Sequence, residues 1–515
     1  MSAGTMTLLA ASSGDLNTSD QLSMASAFQK VFIANGTKLK IADFINTKLT
    51  ITALTTAPTR GSTVTQLTSG ATMIVDYVPS TKDAIYGYVT SSAAFTTTAG
   101  HTLSGGGMDP TTRVPSAVTN NPHWYNHTVY IGDAATYGTM PTNAYLVCVY
   151  RGRVTLAGNP IYPNQWYMSR VANPFDYLYG AGDPMSAVAG NNADAGQCPD
   201  IVRALISFHD DYLIFGCAST LWILRGDPVS GGSLDNLSDT TGMFGANSWC
   251  FDDARSLYFW GTGGIYKINS DFSGIQNLTE LTLPEIVNDE GADPSTHRIT
   301  MGYDKKRHGL IVSITVVATG VNSNYFYSFK TQGFFPETYP EECGPYSIFY
   351  YDANDPDYAD LLIGSRDGYI RKFLNTAKDD DIGATDEAIS SYVTYPITSL
   401  GPRDRKGNLN LDFEGKLTEL VLELAGGAAS GGFQDTDQVT YSLYKGDDAE
   451  TVLEDIIDGA TVFTSGTLSA TGRKNKIRPR MRGAFMGLKL SDSTASKTWA
   501  VNKVMFDIQK AGRIR

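Results

Sequence analysis

The sequence predicts an all-β chain: a β-propeller of about six blades, with a small β module inserted near its start and a β-sandwich at its C-terminal end. Three observations carry this. Gly (51), Tyr (28) and Phe (22) are plentiful, and Ser and Thr run through every segment; β-branched and aromatic residues suit a pleated, half-buried surface, and Gly supplies the turns between many short strands. Helical periodicity is confined to two short stretches, Asp20 to Phe28 and Ala449 to Ile457, the second with Val452, Leu453, Ile456 and Ile457 apolar. A unit of strand, polar turn, strand, Gly-containing turn and aromatic strand recurs about every 45 to 60 residues, the spacing of four-stranded propeller blades.

Taken in order, residues 1–47 hold an N-terminal segment and the first blade, Lys30 to Phe44 (KVFIANGTKLKIADF), with the hairpin signal Asn35-Gly36 at its centre. That strand pair is expected either to supply a sixth blade or to close the ring. Residues 48–120 form the inserted module and linker. Alternation from Thr63 to Val78 predicts a small barrel or sandwich, and the Gly-, Pro- and Asn-rich stretch from Ser104 to Asn121 reads as a loop. Residues 121–378 hold the main blades, whose units start near 144, 203, 248, 298 and 347. Acidic turns fall at Asp210-Asp211 and Asp252-Asp253, and a glycine turn at Gly261 to Gly264. After the acidic boundary Lys378 to Glu387, residues 379–515 alternate cleanly at Lys416 to Leu424, Gln438 to Tyr444 and Ala484 to Leu490, and Trp499 to Ile508 completes a separate antiparallel sandwich.

The chemistry the sequence offers is sparse. A net charge of −13 and a pI near 4.9 argue against broad gripping of DNA phosphates, which needs the opposite sign. Five scattered cysteines (Cys148, Cys198, Cys217, Cys250, Cys343) form no CxxC pair, so neither a disulfide framework nor a zinc site is expected, and the chain reads as made in a reducing cytoplasm. Its opening residues lack the pattern of a signal peptide, and the longest apolar stretch, around Leu310 to Ala318, is far short of a membrane span. No phosphate-binding loop, HExxH or GxSxG occurs. His123 and His127 lie four apart in NPHWYNH, which reads as a surface loop because of Pro122. The acid pairs Asp210-Asp211, Asp252-Asp253 and Glu341-Glu342 could in principle serve glycoside hydrolysis, but the first two fall at hairpin turns, where Asp is favoured locally. The single Asp-box-like turn Ser365 to Tyr369 stands without repeats. No catalytic, cofactor-binding or metal-binding residue is assigned, and the chain is expected not to be an enzyme.

The most informative charged feature is RKNKIRPRMR, with Arg473, Lys474, Lys476, Arg478, Arg480 and Arg482 basic. Arg478, Arg480 and Arg482 recur at period two, so on a strand they share one face, and Pro479 confines such a strand to a sheet edge. Two uses are open: a ring of phosphate contacts in a DNA channel, or an interface that meets an acidic neighbour, which is preferred. Arg151 and Arg153, also two apart, are expected to pair with carboxylates on a neighbouring strand.

One segment carries a resemblance. In YRGRVTLAGNPIYPNQWYMSRVANPFDYLYG (Tyr150 to Gly180), a strand with paired arginines precedes Trp166, Ser169, Pro174 and Asp176-Tyr177. This pattern resembles the tail nozzle proteins of short-tailed bacteriophages, also called tail tubular protein B or packaged-DNA stabilisation proteins. LIFGCASTLWILRGDP, LYFWGTGGIYKI and the C-terminal run from Arg480 are similar in texture. The resemblance implies a virion tail protein, assembled in the host cytoplasm, with no cofactor and no membrane span. It implies a homo-hexameric tube below the portal and adaptor rings that retains and conducts double-stranded DNA and anchors tail fibres or spikes. The alternative is a virion-associated glycan-binding or glycan-cleaving propeller. Larger members of the family carry additional platform domains, for which residues 48–103 would be a partial substitute.

Overall fold

The computed structural model describes residues 9, 15–18, 20–132, 134–180, 182–374, 377–383, 386–402, 413–426, 436–469 and 472–513. The chain divides into two units. One comprises Met1–Ala318, Tyr325–Phe335 and Tyr346–Leu361; the other comprises Thr319–Asn324, Pro336–Pro345 and Leu362–Arg515.

The fold is all-β and β-propeller-like, a succession of small antiparallel sheets. Strands β1 (Ser23–Ala27), β2 (Lys30–Asn35) and β3 (Lys38–Asp43) begin the first sheet. Asn35 faces Lys38 across the β2–β3 turn. Gly36 occupies that turn at φ +64°, and a Cβ there would lie 2.6 Å from the Tyr145 ring, so both backbone and space require glycine. The stretch with helical spacing at Asp20 to Phe28 is a correction: residues 23–27 are strand β1, paired in register with β2. Its exposure alternates residue by residue, and pairing with a strong neighbouring strand overrides a weak local preference.

The chain then leaves for the inserted module. Its strands β4 (Thr47–Thr50), β5 (Thr63–Gln66), β6 (Thr72–Tyr77), β7 (Ala84–Val89), β8 (Leu103–Gly105) and β9 (Ala117–Thr119) form one sheet in the order β8-β5-β6-β7-β4-β9. Its first and last strands pair, Lys48 opposite Thr119. The chain returns as β10 (His123–Asn126) to pair with β3, giving the first sheet the order β1-β2-β3-β10. This corrects the loop expected at NPHWYNH. Pro122 precedes the strand, where no N–H is needed, and both His123 and His127 are buried. His127 Nε2 donates to the Pro174 carbonyl at 2.8 Å. A buried charge cluster ties the module to the first sheet: Lys30 lies 2.7 Å from Asp76 and 3.9 Å from Asp43, Arg60 lies 2.8 Å from Asp76, and Asn46 Nδ2 donates to both carboxylates.

Further sheets follow at blade spacing: β11 (Leu146–Tyr150), β12 (Arg153–Ala157), β13 (Trp166–Met168) and β14 (Val188–Ala189); β15 (Val202–Phe208), β16 (Tyr212–Cys217), β17 (Leu221–Arg225) and β18 (Ser233–Ser238); β19 (Trp249–Phe251), β20 (Leu257–Gly261), β21 (Gly264–Ile268) and β22 (Ile275–Asn277). Next come β23 (His297–Asp304), β24 (Gly309–Val316), β25 (Asn322–Ser328) and β26 (Gly333–Glu337), then β27 (Pro345–Tyr351), β28 (Asp360–Ser365) and β29 (Ile370–Lys372). Within each sheet the strands neighbour one another in chain order. The core is a series of clusters, each filling the space between consecutive sheets. Trp166, Met168, Leu213 and Phe215 lie in one, Ile206, Ile214, Leu257 and Phe259 in the next, and Trp260, Met301, Leu310 and Val312 in a third. All five cysteines are buried free thiols, behaving as small hydrophobes.

The second unit contains the acidic hairpin β30 (Asp379–Asp381) and β31 (Asp386–Ala388) and an antiparallel sandwich. The sandwich strands are β32 (Ser391–Ser399), β33 (Phe413–Leu424), β34 (Val439–Gly446), β35 (Thr464–Leu468), β36 (Gly472–Ile477), β37 (Met481–Gly483), β38 (Phe485–Asp492) and β39 (Val501–Arg513). One sheet runs β32-β38-β34-β35; in the other, β33 is flanked by β36 and β37 on one side and by β39 on the other. Leu417, Leu420, Leu422, Leu443, Leu488 and their neighbours fill the space between the two sheets. The helix Ala449–Asp458 falls where its spacing predicts it. Asp448 caps it by accepting from Thr451 N at 2.8 Å, and Val452 and Ile456 are buried.

Candidate functional site

The basic run lies on the edge of the sandwich. Strands β36 and β37 pair in turn along the same side of β33, with Leu420 opposite Ile477 and Leu417 opposite Met481. Two residues of β33 therefore face three of the basic segment, Arg478, Pro479 and Arg480, which form a bulge. Arg480 takes the left-handed conformation that the extra residue imposes, at φ +49°, and Pro479 sits where no ladder N–H is required. Despite the bulge, Lys476, Arg478, Arg480 and Arg482 are all exposed while Met481 is buried. The period-two spacing thus places four cations on one open ridge. The side chains of Arg473 and Lys474 lie outside the described residues.

The ridge is partly neutralised by its own sheet. Glu419 lies 3.4 Å from Lys476 and 3.3 Å from Arg478, and Glu414 accepts from Arg482. These pairs stay open to water: the side chains of Arg478 and Arg482 are 72% and 59% exposed. Such pairs contribute little to folding stability, so among the described residues four cations against two carboxylates leave the edge positive.

The paired arginines of the resembling segment behave differently. Arg153 is fully buried on β12, where it donates to the carbonyls of Ser169, Pro184, Met185 and Ser186 and lies 3.7 Å from Asp227. Arg151 instead clasps the turn of the next sheet, its Nε donating to the Asp210 carbonyl at 2.9 Å and its backbone N–H to the Asp210 carboxylate at 3.1 Å. Trp166, Ser169 and Tyr177 are all buried. Ser169 Oγ accepts from Val154 N at 3.0 Å, and Asp176 accepts from Leu178 N at 2.9 Å. The segment's polar residues hold loops onto the sheet.

The Asp252-Asp253 pair also serves local structure. Asp252 accepts from Ser256 N at 2.8 Å and from the Tyr258 hydroxyl at 3.1 Å, and Asp253 accepts from the Tyr303 hydroxyl at 3.0 Å. In the Asp-box-like turn, Asp367 holds Arg371 through two hydrogen bonds of 2.8 and 2.6 Å, and this arginine keeps the carboxylate below its ordinary pKa.

No family model and no curated protein matches the sequence. Solved structures do match the fold. The extracellular domain of a one component system protein from B. thetaiotaomicron is 11% identical at a TM-score of 0.32, covering 85% of this chain; this chain spans 47% of that one, about half its length. Streptogramin B lyase is 10% identical at a TM-score of 0.29, covering 69% and 94% of the two chains. An auxiliary nutrient binding protein from Bacteroides ovatus is 10% identical at a TM-score of 0.30, covering 73% and 90%. These likenesses concern the β-propeller-like fold alone.

Proposed function

We propose that the chain is a structural, non-enzymatic component of a bacteriophage tail. In this reading it is the nozzle: a homo-hexameric tube below the adaptor that retains and conducts double-stranded DNA during ejection and anchors fibres or spikes. The observation that carries the reading is the exposed cationic ridge at 476–482 on the edge of a sandwich, in a chain whose net charge is −13. Such an edge is complementary to the acidic remainder of a second copy, and one repeated heterologous contact closes into a ring. The resembling segment supports it as a packing signature, since its residues build sheets and loops rather than a reaction centre. The test is the mass of the native assembly in solution. A species of six times 55.6 kDa, reduced to monomer by Arg478→Glu with Arg482→Glu, supports the reading; a wild-type monomer at all concentrations overturns it.

A further inference from the structure

The last strand leaves one edge of the sandwich open. β39 pairs with β33 along one side, and among the described residues no strand pairs with its other side. The remaining sandwich edges carry features that discourage pairing with another chain. Pro479 and its bulge interrupt β36–β37, Pro396 lies within a register shift of β32, and β35 is a strand of 5 residues containing Gly466. β39 has 13 residues and no proline. Its register with β33 is unbroken from Lys503, opposite Glu423, to Asp507, opposite Glu419.

Thr418 Oγ1 donates to the Asp507 carbonyl at 3.0 Å, so the backbone groups of Asp507 turn toward β33. Alternation along the strand turns those of Met505 and Lys503 the same way, and those of Val504 and Phe506 toward the open edge. Side chains alternate as well. Val504 and Phe506 lean, half-buried, on the sandwich core. Lys503, Met505 and Asp507 lie on the opposite face, where Lys503 and Asp507 are exposed. This run is complementary to itself. Laid antiparallel about Met505, it sets Lys503 against Asp507 of a second copy, Val504 against Phe506, and Met505 against its own counterpart. Opposite charges meet on one face and apolar side chains on the other, both of which stabilise antiparallel ladders. Asp507 gains a cation on its open side, where its neighbour on β33 is another acid, Glu419. Val504 and Phe506 exchange their outward backbone hydrogen bonds across the axis.

We infer that β39 binds β39 of a second copy as an antiparallel two-fold pair centred on Met505, which carries the sheet from one chain into the next. The contact is separate from the ring proposed above: it uses the edge of the sheet away from the cationic ridge and joins two chains about a two-fold axis. One short strand pair covers less than the ~1,200 Å2 of stable interfaces, so a Kd on the order of 0.1 mM is expected. The test is disulfide trapping of the full chain at about 0.2 mM, above that Kd. Met505→Cys brings two thiols face to face on the axis, whereas Gln509→Cys, on the same face, stands about 27 Å from its counterpart. The native cysteines are buried, and the wild-type chain is the blank. Copper phenanthroline in air is expected to link Met505→Cys chains into dimers and to leave Gln509→Cys chains single. Adding Lys503→Glu is expected to cut the trapped dimer about fivefold, and adding Asp507→Lys to that chain restores it. No trapping at 505 above the blank, equal trapping at 505 and 509, or no recovery in the charge-swapped chain overturns the inference. The same trapping in a chain that also carries Arg478→Glu and Arg482→Glu separates the two contacts. A dimer trapped there stands whether or not the ring exists, and a six-fold assembly without trapping at 505 removes the strand pair alone.

Discussion

Arg153 is a charge placed where water cannot reach it, and it is tolerated because four backbone carbonyls and Asp227 surround it. Removing such a group strands its acceptors in a dry environment, so Arg153→Met is expected to cost about 3 kcal/mol. Urea unfolding measures this, and a loss below about 1 kcal/mol would show that the carbonyls find other donors. His127 makes a second residue-scale statement. Burial pushes its imidazole down to about 4 from the ordinary 6.5. A folded-state pKa below the unfolded one means that the unfolded chain takes up the proton first. Its contribution is therefore complete above pH 6.5 and is lost as the pH falls toward 4, about 3 kcal/mol in all. His127→Gln should flatten the stability–pH curve across that window; an unchanged slope would assign the acid sensitivity to other groups.

At the scale of the element, the acidic hairpin carries its own frustration. Asp380 faces Glu387 directly across the ladder, and burial together with that neighbour raises the Asp380 carboxyl to about 6. The sign is opposite to that of His127: the folded state holds this proton more tightly, so stability is greatest in acid and is lost as the pH rises from 3.8 through 6. Asp380→Asn is expected to stabilise the second unit by about 1 kcal/mol at pH 7, after allowance for solvent screening, and to have no effect at pH 3; thermal melting at the two pH values checks both. Elements were legible in the sequence where one periodicity dominated. The expected unit starts at 203, 248 and 298 fall within a residue of β15, β19 and β23, because Asp and Gly turns punctuate clean alternation there. Residues 23–27 and 123–126 were misread for one reason. Each is a short, mixed-polarity strand whose conformation is decided by a partner, β2 or β3, and not by its own pattern.

For the whole molecule, the proposed assembly would make the ridge at 476–482 the contact between copies. Contacts made by exposed Arg and Lys weaken as salt rises, because the screening length shrinks from about 10 Å at 0.1 M to about 3 Å at 1 M. The assembly is expected to dissociate over that range, as read by sedimentation velocity; an oligomer indifferent to 1 M salt would point to an apolar interface elsewhere. The ridge was legible because period two survives on either side of the bulge, while the bulge itself depends on the register against β33, which no local pattern records. The packing of Tyr77 and Tyr86 on Tyr125 was not legible at all: the first two come from the module and Tyr125 from a strand read as loop, and only the return of the chain to β3 brings them together.

That return also sets an order of events during synthesis. After Asp43 has left the ribosome, β3 offers an unfilled edge until His123 to Asn126 emerge, and an open edge of this kind invites pairing with the wrong chain. The insert shortens the exposure. Because Lys48 pairs with Thr119, its closure delivers the returning strand next to the one that awaits it, so the loop to be closed becomes a few residues instead of the whole insertion. The module is thus expected to act as a splint for the nascent first sheet, and lesions that slow its closure should appear as aggregation of newly made protein before any change in the mature fold.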